Sequence, residues 1–188
     1  MTAEATVPRL PFALRTATAR RAPKRPMDEA KFEIFYRKTA GRIWTYIYRM
    51  TGNAATADDL LQKTFFRFLR TRPEIANDDH LRHYVFKTAT NLVFDHFREE
   101  RRHRIDALDA VPEAAFRPQH SELRHDMMRT FAELKPQERA LLWLAHVEGC
   151  SHDEIADALG VQSKSVRVML FRARRHLGDL LTRKGLAP

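Results

Sequence analysis

One cysteine, six glycines and no long apolar run set the first limits on this chain of 188 residues. A lone Cys150 excludes an internal disulfide framework and a multi-cysteine metal site, and it fits a reducing cytosol. No apolar stretch approaches the roughly 18 residues a membrane-crossing helix needs, so no membrane insertion is expected. Few glycines and almost no apolar–polar alternation argue against strands. The long stretches of helical spacing predict an all-α fold instead. Acid is also in short supply: 24 Asp and Glu stand against 33 Lys and Arg, for a formal net charge of +9. That balance favours a polyanionic partner, because each cation that neutralises a phosphate releases counterions.

What is present is unevenly distributed. Residues 1–26 hold four of the nine prolines, six Lys or Arg and the single acid Glu4. Such a stretch cannot build a core and reads as a disordered basic tail. Its apolar patch, Leu10-Pro11-Phe12-Ala13-Leu14, is followed by basic residues and no convincing cleavage site, so a tail is simpler than a transit peptide. From Met27 the pattern turns helical. A first helix runs through Phe32, Phe35, Ile43, Ile47 and Met50 to a stop at Thr51-Gly52-Asn53. A second is expected to open on a capping box at Thr56-Ala57-Asp58-Asp59 and to bury Leu60, Leu61, Phe65, Phe68 and Leu69 before Pro73. A third starts near Asn77 and runs to Arg104. Residues 105–120 lose the period and read as a flexible linker, which fully extended reaches roughly 50–55 Å. Residues 121–184 form a second unit with helices at 121–134, 137–147, 152–159 and 163–181. Two small helical domains, 27–104 and 121–184, are therefore expected.

The most specific signal lies in the second unit. Ser151 and Glu154 make a capping box that starts a short helix, and Gly160 can take the positive φ of a tight turn. Ile155, Leu159, Val161, Val166 and Met169 supply an apolar junction between this helix and the next. That is the arrangement of a DNA-binding helix-turn-helix. On the following helix Val166, Met169, Leu170, Ala173 and Leu177 share one stripe and should be core. Lys164, Ser165, Arg167, Val168, Phe171, Arg172, Arg174 and Arg175 lie around the rest. A merely solvated basic helix would not keep Val168 and Phe171 among so many cations. A major-groove reader would, with cations on phosphates or guanines and apolar groups on thymine methyls.

The third helix carries another pattern. Leu81, Val85, Ala89, Leu92 and Val93 form its apolar face. Tyr84, Lys87, Asn91, Phe94, Arg98 and Arg101 fall within about 100° of one another at helical pitch, and Arg102 extends the basic end. Rings to stack on, an amide to read a base edge and cations for the backbone suit unpaired nucleotides. Partly buried core aromatics explain Tyr84 and Phe94 equally well. On the second helix Asp59, Gln62, Phe65 and Arg67 combine polar and aromatic groups. Capping for Asp59 and core packing for Phe65 would account for two of them.

Together these segments resemble the extracytoplasmic-function branch of the sigma-70 family. Ala57-Asp58-Asp59-Leu60-Leu61-Gln62-Lys63-Thr64-Phe65 is similar to that family's A-E-D-L-V-Q-x-T-F. The run from Tyr84 to Arg98 resembles W-L-x-x-I-A-R-N-x-x-x-D-x-x-R, and Leu134-Lys135-Pro136-Gln137-Glu138-Arg139 resembles L-P-x-x-x-R. The helix-turn-helix through Arg172-Ala173-Arg174-Arg175 is similar to the pattern that closes the family's second DNA-binding domain. The four motifs occur in the family's order across about 27–182. The resemblance implies a cytoplasmic, non-enzymatic subunit that needs no cofactor or metal. Asp59, Gln62, Phe65 and Arg67 would dock on the clamp region of core RNA polymerase. Tyr84, Lys87, Asn91, Phe94, Arg98, Arg101 and Arg102 would hold the melted −10 element. Lys164, Ser165, Arg167, Val168, Phe171, Arg172, Arg174 and Arg175 would read the −35 element, and an anti-sigma factor would be a further partner. Tyr84 stands where the family usually has Trp, Thr90 where it has Arg, and Met169 where Arg is frequent, so promoter preference does not transfer. A helix-turn-helix regulator acting without polymerase would leave the 57–65 and 84–101 segments unused. A metalloenzyme would have only scattered ligands such as His80 and His83, without a recognised pattern.

Overall fold

The computed structural model describes residues 29–71, 77–106 and 122–186, with side chains described for all of these except 104–106 and 122–125. Seven helices make up this part: α1 Glu29–Thr51, α2 Ala54–Thr71, α3 Asp78–Asp106, α4 Glu122–Glu133, α5 Pro136–His146, α6 His152–Leu159 and α7 Ser163–Arg183. There is no strand among the described residues. The expected tail, the stop at Pro73 and most of the linker lie outside them.

Helices α1, α2 and α3 pack on one another around an aromatic-rich core. Phe68, 2% exposed, stacks on Phe35 with ring centroids 5.6 Å apart and on Phe32 at 6.1 Å. Burying a side chain of this size contributes about 1.5–3 kcal/mol. From α3 come Leu81, Val85, Ala89, Leu92 and Val93, the expected apolar face, joined by buried Phe86. The second unit gathers Leu141, Leu144, Ile155, Val166, Leu170 and Ala173 around the α5–α6–α7 junction. Pro136 sits in the first turn of α5, where its missing N–H costs nothing. Gly52, Gly149 and Gly160 take φ of 72°, 68° and 66° at the turns that follow α1, α5 and α6.

Two local expectations are corrected. Helix α2 begins earlier than Thr56: the Asn53 side-chain oxygen accepts from the Thr56 backbone N–H at 3.0 Å and caps the helix, so Thr56 is already inside it. Leu69 is 44% exposed, because the α2 core face runs through Leu60, Thr64, Phe65 and Phe68.

The two units are not merely tethered. Helix α6 lies against α3, and α5 against α1. Tyr46 of α1 is fully buried between them, its ring 5.6 Å from Phe86 and 6.3 Å from Trp143 of α5. The Arg139 guanidinium, 9% exposed, lies over the Phe97 ring of α3 at 5.8 Å. Burial lowers its pKa, and Tyr46 opposes the shift.

Candidate functional site

Helix α6 is built as its sequence dictates. Glu154 accepts from the Ser151 backbone N–H at 2.7 Å, and the Ser151 hydroxyl accepts from the Glu154 N–H at 3.3 Å. The first of these bonds, opposed by modest burial and aided by the Ser151 side chain, holds the Glu154 carboxyl below the usual carboxylate range. At the other end Gly160 adopts the left-handed conformation, φ 66° and ψ 35°, and its N–H returns to the Ala156 carbonyl. A side chain there would be strained, so the sharp reversal into α7 belongs to glycine.

That reversal fixes how α7 is presented. Val166, Leu170 and Ala173 are buried, while Met169 and Leu177 are half-buried against the same core. Lys164, Arg167, Arg172, Arg174 and Arg175 are exposed, Ser165 is half-buried, and Val168 and Phe171 are 50% and 64% exposed. An apolar pair so open beside cations gains nothing from the fold; it is a surface without an internal partner. Arg174 is braced from behind, its Nε donating to His146 Nε2 at 3.1 Å.

On α3 the predicted stripe divides. Asn91, Arg98, Arg101 and Arg102 are exposed. Tyr84 and Phe94 are half-buried and pack on the core, Tyr84 with its ring 6.1 Å from Phe68. Core packing thus accounts for one side of each ring. Arg98 pairs with Asp95 one turn earlier. Lys87 reaches across to the second unit and donates to Asp157 at 2.6 Å.

The α2 set also divides. Asp59, Gln62 and Arg67 are exposed, but Phe65 is 5% exposed and packs edge-on against Tyr36 at 4.7 Å. It is its neighbour Phe66, at 63% exposure, that faces outward. At spacings of three and four residues Asp59, Gln62, Phe66 and Leu69 form one continuous exposed stripe. Adjacent aromatics differ by about 100° of helix rotation, so Phe65 falls on the stripe of Leu60, Leu61 and Phe68 and Phe66 does not. Among the described residues no group of three or more His, Cys, Asp or Glu is placed to hold a metal ion.

Comparison with known proteins converges on one family. Residues 35–103 match Sigma-70 region 2, and residues 124–177 match Sigma-70, region 4. The RNA polymerase sigma factor CarQ of Myxococcus xanthus is 30% identical over 156 residues, covering 80% of this chain and 88% of CarQ. The ECF RNA polymerase sigma factor SigE of Mycolicibacterium smegmatis is 33% identical over 155 residues, covering 78% of this chain and 60% of SigE. Among solved structures, the Bartonella quintana sigma factor RpoE, crystallised with the anti-sigma factor NepR, shares the fold with a TM-score of 0.70 at 20% identity. That likeness covers 80% of this chain and 96% of RpoE. CnrH in complex with the cytosolic domain of CnrY follows at a TM-score of 0.61 and 20% identity, covering 83% of this chain and 90% of CnrH. With both regions in order and a relative matched over nearly its whole length, the chain belongs to the extracytoplasmic-function sigma factors of the sigma-70 family.

Proposed function

We propose that this chain makes core RNA polymerase promoter-specific by reading two DNA elements and stabilising the melted strand of the −10 element, without performing catalysis. The observation that carries this reading is Asn91. It stands exposed on a helix whose adjacent residues, Thr90 and Leu92, are both buried. A rigid backbone thus presents an amide, flanked along one stripe by Lys87, Arg98, Arg101 and Arg102. That chemistry suits a base drawn out of the stack and the phosphates on either side of it. A regulator that binds only duplex DNA has no use for such a stripe.

In this reading 29–106 grips polymerase and the −10 strand, and 122–186 reads the −35 duplex. Linking two weak readers raises the effective concentration of the second once the first is bound. The polymerase face is the α2 stripe of Asp59, Gln62, Phe66 and Leu69, with Arg67 beside it; Phe65 supports it from the core. The −35 face is Lys164, Ser165, Arg167, Val168 and Phe171, with Arg172, Arg174 and Arg175 on the backbone. The chain works where the polymerase is, in the cytoplasm, and no described helix is long and apolar enough to cross a membrane. An anti-sigma factor is the regulatory partner that best fits this family. Transcription reconstituted from core polymerase, this chain and a pool of genomic promoters tests the reading. Asn91→Ala is expected to retain −35 binding while lowering permanganate reactivity of −10 thymines. Unchanged reactivity would remove Asn91 from its role.

A further inference from the structure

Resting on the reading of α7 as the −35 face, we propose that His146 is a positioning residue: as a neutral imidazole it holds the Arg174 guanidinium ready for a DNA phosphate, and on protonation it lets go. His146 is the last residue of α5 and lies outside the recognition helix. Its Nε2 accepts from Arg174 Nε at 3.1 Å. A bond at Nε fixes the plane of the guanidinium and leaves its end-on pair of terminal nitrogens for a bidentate phosphate contact. Among the described residues Arg174 has no other hydrogen bond or ion pair. A long exposed side chain loses rotamer freedom when it meets DNA, and one already held loses less, so the brace shows as affinity.

The bond also sets the state of the ring. Arginine Nε can only donate, so Nε2 of His146 must be the bare nitrogen, with the single ring proton on Nδ1. An imidazolium has no lone pair to offer and sets a second cation against the guanidinium. Histidine is the side chain that ordinarily changes charge near physiological pH. Among the described residues lining the cleft between α4, α5 and α7, His146 and Arg174 are the only ionisable groups; the walls are apolar, with Phe131 from α4 and Leu177 and Leu181 from α7. Glu148, two residues beyond His146, is turned to Arg42 and the Trp143 indole. His176 of α7 faces Glu138 of α5 at 3.0 Å, where a proton strengthens the contact. Acid therefore loosens the His146 contact between these helices and tightens the His176 one.

The test uses the full chain and two readouts: the His146 tautomer from ring nitrogen NMR shifts, and anisotropy of a fluorescent random-sequence duplex, which suffices because phosphate contacts carry little sequence information. At about pH 8 the wild-type ring is expected to carry its proton on Nδ1, and Arg174→Ala to move it towards Nε2. His146 is exposed, so both of its substitutions spare the core. His146→Phe keeps a ring without an acceptor and is expected to weaken duplex binding about three- to ten-fold at that pH. His146→Gln offers a carbonyl that does not titrate and should stay near wild type. As pH falls to about 5, wild type should drop towards His146→Phe while His146→Gln holds its advantage, titrations elsewhere cancelling in the ratio. With Arg174→Ala in the background, His146→Phe should have no further effect. A wild-type proton on Nε2 overturns the brace. Duplex affinity unaltered in His146→Phe overturns the positioning role. Wild type binding more tightly than His146→Gln in acid would make His146 a phosphate-contacting cation and overturn the release. The tautomer is read without DNA, so a chain with the brace in place and no affinity for duplex would strike the −35 reading rather than the hydrogen bond.

Discussion

The Tyr46 phenol oxygen lies 2.8 Å from the Thr90 hydroxyl, and both side chains are wholly buried. Thr90 also donates to the Phe86 carbonyl at 2.7 Å. A hydroxyl has one proton to give, so Thr90 spends it on Phe86 and must accept from Tyr46. Burial pushes the Tyr46 phenol well above its ordinary range, which keeps it a donor at every physiological pH.

The two ends of this bond are unequal. Tyr46→Phe removes the donor and leaves Thr90 bonded to Phe86, so a loss of about 0.5–1.5 kcal/mol is expected. Thr90→Val strands a buried phenol O–H and should cost about 1–3 kcal/mol. Thr90→Arg, which restores the residue usual in the family, must put a guanidinium where nothing is exposed and should be the most destabilising of the three. Denaturant unfolding of the three variants checks the order; a Thr90→Arg protein as stable as wild type would contradict it.

The capping box makes helix α6 sensitive to acid. The folded pKa of Glu154 is depressed, chiefly by the Ser151 backbone N–H. Its stabilisation is therefore complete above the unfolded glutamate value and is lost as pH falls through and below about 4. Gln can accept the same N–H without titrating. The Tm difference between wild type and Glu154→Gln should be widest near neutral pH and close on acidification. A pH-independent difference would mean that the Glu154 charge contributes nothing. Ser151→Ala, which removes the other half of the box, should cost about 1 kcal/mol near neutral pH.

Much of this was legible in the chain. Periodicity and turn residues placed α5, α6 and α7 to within two residues at each end, because Pro136, Ser151, Glu154 and Gly160 act locally. The outward pair Val168 and Phe171 was legible too, since the apolar stripe of α7 leaves them no core position. What escaped depends on packing. Asn53 rather than Thr56 caps α2 because Gly52 reverses the chain just before it, and both residues are acceptable caps by type. The apolar stripe of α2 already put Phe65 in the core; what went unread was Phe66 as the exposed ring, at 63% exposure. The docking of the two units rests on contacts such as Arg42 with Glu148, 106 positions apart, for which no local pattern exists.

The exchange of Phe65 for Phe66 on the proposed polymerase face separates binding from folding. Phe65→Ala empties a core position and should cost about 3–5 kcal/mol. Phe66→Ala removes an exposed ring and should leave Tm nearly unchanged while weakening retention on immobilised core polymerase. Asp59→Lys combined with Gln62→Ala should weaken retention in the same way. Wild-type retention by a folded Phe66→Ala protein would exclude that ring from the contact.

Recognition by α7 should divide along the helix. Helix-turn-helix proteins insert the N-terminal part of the recognition helix, so Lys164, Arg167, Val168 and Phe171 should come nearest the base edges. Arg172, Arg174 and Arg175 come later on the helix and are exposed, where contact with phosphates is expected. Phosphate contacts carry salt dependence and little sequence information, whereas base contacts carry specificity. Arg175→Ala should therefore weaken binding to every −35 sequence alike and lower the salt slope by about one. Arg167→Ala should cost about 1–3 kcal/mol on the preferred sequence and relax preference at one or two positions. Titrations over a −35 library at several salt concentrations measure both quantities. An Arg167→Ala protein that lost the same affinity for every sequence would move the reading face away from Arg167, and leave Val168 and Phe171, 50% and 64% exposed, to carry the specificity through thymine methyls.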